Sequence, residues 1–192
     1  MKPEKWELLS RKRDDSYGIF TIRTDRCLSP RTGRKHDFFI LESSPWVNII
    51  ALTGDQQVLL VRQFRHGTGE VTLEIPGGLV ERGDTPIDAA RRELLEETGY
   101  SSQVMRSLGA VHPNPAIQNN KCFTFLARHV ELTADQHLDD KEDIEVVLRP
   151  LRDIPEMIGQ GEITHSLVLA AFYRLFMESG EFGALNPDHL FT

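Results

Sequence analysis

Three glutamates, Glu93, Glu96 and Glu97, fall within two helical turns of the stretch "AARRELLEETGY", directly after Arg91 and Arg92. On an α-helix, positions four apart lie about 40° from one another around the axis, so Glu93 and Glu97 share a face and Glu96 flanks it. Oxygen donors gathered in this way bind hard cations. Mg²⁺ takes a few carboxylates and keeps positions open for water and phosphate oxygens. Arg92 stands where its planar guanidinium can hold such carboxylates through bidentate hydrogen bonds. Just upstream, "LEIPGG" (73–78) ends a strand in a glycine turn that can bring a bare backbone carbonyl close to the same ion. The ordinary alternative for the helix is a solvated face with i,i+4 pairs such as Arg92–Glu96.

Charge is distributed unevenly. The chain has 22 basic and 29 acidic residues and a net charge of −7, which argues against a dedicated nucleic-acid surface. Acids outnumber bases from Glu81 to Glu97 and again from Glu131 to Glu145. Two acidic clusters in one small domain repel unless they are far apart or a cation joins them. In the second, the hydrophilic loop "DDKED" precedes a strand and can swing over a site. Glu142 is the favoured carboxylate of this loop for reaching such a site, with Asp140 and Glu145 as competitors. Cys27 and Cys122 have no partner at zinc-ligand spacing and read as free thiols. His112 and His165 are lone histidines with structural roles. No eighteen-residue apolar run and no signal-peptide pattern occur, which points to a cytoplasmic protein.

The elements that must position these groups are legible. "FTIRTDRCL" and "HDFFILE" read as strands around a Ser-Pro-Arg-Thr-Gly turn, and "WVNIIAL" and "QVLLVRQF" as a buried hairpin. "EVTLEIP" alternates, with Val71, Leu73 and Ile75 on one face and Thr72 and Glu74 on the other. Thr85 is an N-cap, Pro86 the first helical residue, Asp88 completes a capping box, and Gly99 ends the helix. Its apolar stripe is Ile87, Ala90 and Leu94, with the carboxylates pointing away from it. "KCFTFLARHVEL" and "EDIEVVLRPL" read as strands, and "SLVLAAFYRLFMES" as a closing helix. The order predicts an α+β fold with a mixed β-sheet sandwiched between helices.

The joint spacing of Gly78, Asp84, Arg92, Glu93, Leu94, Glu96, Glu97, Gly99 and Tyr100 resembles the signature of the Nudix hydrolases, Gly-x5-Glu-x7-Arg-Glu-U-x-Glu-Glu-x-Gly-U, with U bulky and apolar. Asp84 and Tyr100 depart from it, and the shorter Asp84 is a poorer candidate for direct metal contact. The resemblance implies a Nudix fold and a metal site of Gly77 (carbonyl), Glu93 and Glu97, with Glu96 as a further ligand or catalytic group. It implies two or three Mg²⁺ or Mn²⁺ ions, and a catalytic set of Glu142, Glu96 and Arg92.

The surroundings are similar to the branch acting on ADP-ribose and other nucleoside diphosphate sugars. They include Gln63-Phe64-Arg65, Leu73 to Gly78, and a proline at Pro113 or Pro115. Ala116-Ile117-Gln118-Asn119 departs from the branch pattern and leaves GDP-sugars and other such sugars open. Substrate-binding candidates are Arg65, whose fork suits a diphosphate, Glu74 and Trp46. The implied activity is hydrolysis of the pyrophosphate bond to a nucleoside monophosphate and a sugar phosphate. The alternative is a sensor module of the same fold that binds without hydrolysis. The expected organisation is a β-rich extension, 1–45, a hydrolase domain, 46–180, and a tail, 181–192. By resemblance the extension pairs two chains into a homodimer, and no nucleic acid or membrane is expected as a partner.

Overall fold

The computed structural model describes residues 2–179, so the expected tail lies outside the described residues. It divides into two compact units, one of residues before Trp46 together with His112–Lys121, the other of Trp46–Val111 and the chain from Cys122 onward.

In the first unit, strands β1 (Glu7–Ser16), β2 (Phe20–Leu28) and β3 (Lys35–Ser43) form an antiparallel sheet in that order. The Ser-Pro-Arg-Thr-Gly turn closes as the sequence predicts, with Gly33 at φ 67° donating its N–H to the Ser29 carbonyl. Strand β1, "ELLSRKRDDS", has no apolar alternation to announce it and is mostly exposed. Charge holds it instead. Arg11 lies opposite Asp25 and grips it through Nε (2.8 Å) and Nη2 (3.0 Å). Arg23 donates to Asp25 and to Glu42, and Arg13 also reaches Glu42. Cross-strand pairs of opposite charge supply the contacts that apolar pairs supply elsewhere.

The second unit contains β4 (Trp46–Leu52), β5 (Gln57–Arg65), β6 (Glu70–Glu74), β7 (Gly77–Leu79), α1 (Pro86–Thr98), β8 (Tyr100–Ser101), β9 (Val104–Val111), β10 (Cys122–Arg128), β11 (Glu131–Leu132), β12 (Ile144–Pro150), α2 (Ile154–Gly159) and α3 (Ser166–Ser179). The main sheet runs β12-β5-β4-β10-β9, with β4 and β10 parallel and the other neighbours antiparallel. Helix α1 covers one face through Ala89, Ala90 and Leu94 against Val47, Ile49, Ala51 and Phe125. Helices α2 and α3 cover the other, with Ile154, Phe172 and Leu175 against Ile50, Leu60 and Leu126. The fold is therefore the expected α+β arrangement of a mixed sheet between helices. Central strands covered on both faces read as continuous apolar runs. No described helix is long and apolar enough to cross a membrane.

Several expectations shift. Strand β9 and helix α2 have no clear sequence signal, and "KCFTFLARHVEL" is two strands, broken at His129 with φ 53°. The hairpin of β4 and β5 is closed for only two residue pairs, Ala51–Leu59 and Leu52–Val58. Beyond them the strands part: β7 pairs the start of β4 and β6 the end of β5. Val71 is exposed rather than sharing a buried face with Leu73 and Ile75, because β6 runs outward past the core.

Candidate active site

Helix α1 begins as its sequence dictates. The Thr85 hydroxyl accepts the Asp88 N–H, Pro86 follows the cap, and Gly99 ends the helix at φ 75° with its N–H on the Leu95 carbonyl. Its buried face holds Ala89, Ala90, Leu94, Glu97 and Thr98. Glu97 thus lies on the core stripe, a correction to the expectation that the carboxylates point away from it. It is three residues beyond Leu94 and seven beyond Ala90, both on the same side of a helix.

The preceding segment meets this face. Pro76 forms a bend, and Gly77 and Gly78 enter the short strand β7 instead of a left-handed turn; neither has positive φ. They are glycines because of proximity. A Cβ on Gly77 would strike the Val47 carbonyl, and one on Gly78 would strike the Glu93 carboxylate. The Gly77 N–H donates to Glu97 Oε2 at 2.9 Å, and the Pro76 carbonyl accepts from Ile49 at 2.9 Å.

Arg92 is the hub of the carboxylates, although it spreads across several acceptors and is not bidentate to one. Its Nη1 donates to Glu93 Oε1 (2.9 Å) and Glu96 Oε2 (3.0 Å), its Nη2 to the Leu79 carbonyl (3.0 Å), and its Nε to Asp84 (3.4 Å). Asp84 therefore faces the arginine. Among the described residues the Glu97 side chain has only the Gly77 N–H as a hydrogen-bond partner, and the residue is 4% exposed. Burial pushes its carboxyl up to about 8, the Gly77 N–H pulls the other way, and the charges of Glu93 and Glu142 add to the rise. Burial likewise raises Glu93 despite Arg92 beside it, with Glu96 and Glu142 contributing.

Glu142 is distinguished from its competitors by this reach. Its charge acts on Glu93, Glu97 and Arg65, while Glu145 is tied to Arg62 (2.7 Å) across β12 and β5. The Glu142 carboxylate itself accepts the Asp139 N–H at 3.1 Å, folded onto its own loop.

Arg65 and Glu74, proposed separately from the sequence, are partners. Nε and Nη2 of Arg65 grip the two carboxylate oxygens at 2.8 and 2.7 Å, and Thr72 Oγ1 donates to Glu74 Oε1 at 2.6 Å. Glu74 is 2% exposed. Burial acts to raise its carboxyl, but Arg65 and Thr72 hold it below the usual range. Arg65 Nη1 has no hydrogen bond among the described residues. Trp46 is half-buried at the start of β4, opposite Leu79 and Cys122, and has no hydrogen bond to the carboxylates among the described residues.

Sequence reasoning missed one polar residue in this unit, Asn48, and read His165 only as structural. Asn48 lies in register with Gly77, donates to the Leu167 carbonyl at 3.1 Å, and has a buried Oδ1 without a partner among the described residues; the buried Nδ1 of His165 also lacks one there. Neither stands in a motif.

Among the described residues, no three carboxylate, imidazole or thiol groups already converge as a complete metal cage. The donor set nevertheless suits a hard cation that keeps much of its water. Glu97 is buried and Glu93 partly buried beside it, bare glycine backbone lies against them, and Arg92 beside Glu93 and the charge of Arg65 acting on Glu97 only partly offset the carboxylates.

A family model described as the NUDIX domain matches residues 44–172. The chain belongs to the Nudix family. It is 30% identical over 118 residues to an ADP-ribose pyrophosphatase of Bacillus subtilis (strain 168), covering 61% of this chain and 64% of that one. The chain thus spans just under two thirds of that relative. To an ADP-ribose pyrophosphatase of Mycobacterium tuberculosis (strain ATCC 25618 / H37Rv) it is 25% identical over 192 residues, 97% of this chain and 91% of the relative. A solved ADP compounds hydrolase superposes with a TM-score of 0.82 over 95% of this chain and 98% of its own, at 19% identity, a likeness of fold.

Proposed function

We propose that this chain is a divalent-metal-dependent hydrolase of the pyrophosphate bond in ADP-ribose or other nucleoside diphosphate sugars, releasing a nucleoside monophosphate and a sugar phosphate. The observation that carries the reading is the pair Glu93, partly buried, and Glu97, buried, against the Gly77-Gly78 backbone, with burial raising both carboxyls despite the arginines near them. The relatives named as ADP-ribose pyrophosphatases support the substrate class.

Glu93, Glu97 and the Gly77 carbonyl would hold two or three Mg²⁺ or Mn²⁺ ions, with Glu96 beside them, and bound ions of this kind neutralise a diphosphate and acidify a water. Arg92 keeps Glu93 and Glu96 in place and ties them to β7 through the Leu79 carbonyl. Glu142 accepts the proton of the attacking water as the new phosphorus–oxygen bond forms and the anhydride oxygen departs with the other phosphate. Glu74 fixes the fork of Arg65 and leaves Nη1 for a phosphate oxygen. Trp46 is the candidate surface for the base.

The test is incubation with ADP-ribose and a panel of other nucleoside diphosphate sugars, with Mg²⁺, with Mn²⁺ and with chelator. Products are resolved by ion exchange. Metal-dependent release of AMP and ribose phosphate is expected; tight binding of ADP-ribose with no product from any sugar in the panel would replace the reading with that of a binding module. We also infer a homodimer through the N-terminal sheet, supported by the exposure of Leu8, Ile19 and Phe39. Sedimentation showing a single 21.8 kDa species would remove it.

A further inference from the structure

The loop bearing Glu142 is fastened at its base by one side chain. Gln136 Nε2 donates to the Glu97 carbonyl at 2.6 Å and to the Ile144 carbonyl at 3.2 Å. The first acceptor lies in the last turn of α1, and the second is the first residue of β12. A single amide group thus bridges the end of the acidic helix and the point where the chain leaves residues 137–143. Around it the backbone adds more ties. The N–H of His137 donates to the Glu96 carbonyl at 2.8 Å, and those of Thr133 and Ala134 to the Gly99 carbonyl at 2.9 and 3.1 Å. Gly99 permits this approach twice over, by its left-handed φ of 75° and because a Cβ there would strike the Ala134 carbonyl.

The last carbonyls of a helix have no partner within it and need donors from outside. Here the donors come from the segment leading into "DDKED". Capping α1 and locating the loop carboxylate are therefore the same set of hydrogen bonds. Glutamine suits the position because its amide presents two N–H donors to two carbonyls at once. Glutamate in its place would aim an acceptor at acceptors, and leucine would offer nothing.

We propose that Gln136 is a positioning residue, which by clamping α1 to the start of β12 fixes where Glu142 stands relative to Glu93 and Glu97. Its kinetic consequence rests on the hydrolase reading above. Its structural consequence does not.

The experiment compares Gln136→Leu and Gln136→Glu with the unmodified chain by two readouts. Amide hydrogen exchange of the metal-free proteins comes first. Loss of the clamp should speed exchange at His137 and Glu142 by about five- to tenfold, the size of a modest net hydrogen-bond contribution from a part-buried amide, while β4 and β10 keep their protection. Unchanged exchange across residues 137–143 in both variants overturns the proposal, whether or not the chain proves to be an enzyme. Hydrolysis of ADP-ribose with Mg²⁺ comes second. In both variants kcat should fall about ten- to a hundredfold with KM unchanged, the size expected for a misplaced catalytic group. Combining either substitution with Glu142→Gln should produce little loss beyond Glu142→Gln alone. Additive losses would show that Gln136 does not act through Glu142 and would also overturn it. Absence of hydrolysis by the unmodified chain would sink the hydrolase reading and leave the exchange result to decide the clamp.

Discussion

Two regions of this molecule mix arginines with buried acids and arrive at opposite electrostatic states. In the N-terminal sheet, Asp25 is 8% exposed, yet hydrogen bonding by Arg11, against the cost of burial and with help from Arg23, holds its carboxyl below the usual range. Burial pushes Glu42 upward, but Arg23 and Arg13 reverse the outcome. In α1, Glu97 is similarly buried at 4%, and its carboxyl is driven up to about 8. Burial alone does not separate the two regions. The number of basic partners does: Arg11, Arg13 and Arg23 serve Asp25 and Glu42, whereas Arg92 is shared among Asp84, Glu93 and Glu96 and does not reach Glu97. One region is electrically complete. In the other, Glu97 has no arginine hydrogen-bonded to it among the described residues.

The comparison can be broken most severely at Glu97. Glu97→Gln should abolish metal-dependent turnover while the metal-free variant melts no lower than the unmodified chain, since the amide replaces a carboxyl whose charged form burial already disfavours; a clear loss of melting temperature would show that the carboxylate serves the fold. Glu142→Gln should lower kcat by about 10²- to 10⁴-fold, as loss of a general base does, measured as product release under saturating substrate.

A smaller effect falls at Arg65. Arg65→Ala leaves Glu74 buried without its fork and should cost about 1–3 kcal/mol in denaturant unfolding. The pH dependence should change sign with it. In the unmodified chain the folded Glu74 carboxyl lies below its unfolded value, so its contribution is present above that value and is lost as pH falls through the folded one. Without Arg65, burial dominates, the folded carboxyl rises, and stability is lost instead as pH increases through the window between the two. Stability curves from pH 3 to 8, an ordinary carboxylate window, distinguish these cases. The smallest effect belongs to the exposed pair Arg26–Asp37 in the sheet, where Arg26→Ala should barely move the unfolding midpoint and added salt should remove the difference.

Much of the carboxylate site was legible in the sequence because it is built from one contiguous stretch. Cap, helix, arginine and glutamates follow local rules of spacing, and the structure places them on successive turns of α1. The burial of Glu97 was legible too, from its offsets to Ala90 and Leu94, but expecting acids to face water obscured it. What the sequence could not show depends on chain segments far apart. Arg65 and Glu74 are nine residues distant and meet because β5 and β6 pair. Gln136 reaches α1 across 39 positions and has no motif around it. Strand β1 was invisible for another reason: its cohesion comes from charges whose partners lie on β2 and β3, so its own pattern resembles a polar linker.

The brief contact between β4 and β5 has a consequence for how this scaffold tolerates change. Two rungs join them, after which each strand takes a different neighbour. The seam gapes like a zipper stopped near its lower end, and the glycines seated in the gap are lodged against Val47 and Glu93. Lengthening those two rungs into a full ladder would give a tidier sheet and would evict β7 from its berth. The chain forgoes a continuous seam at its centre, and that opening is what gives the acidic helix backbone to lean on.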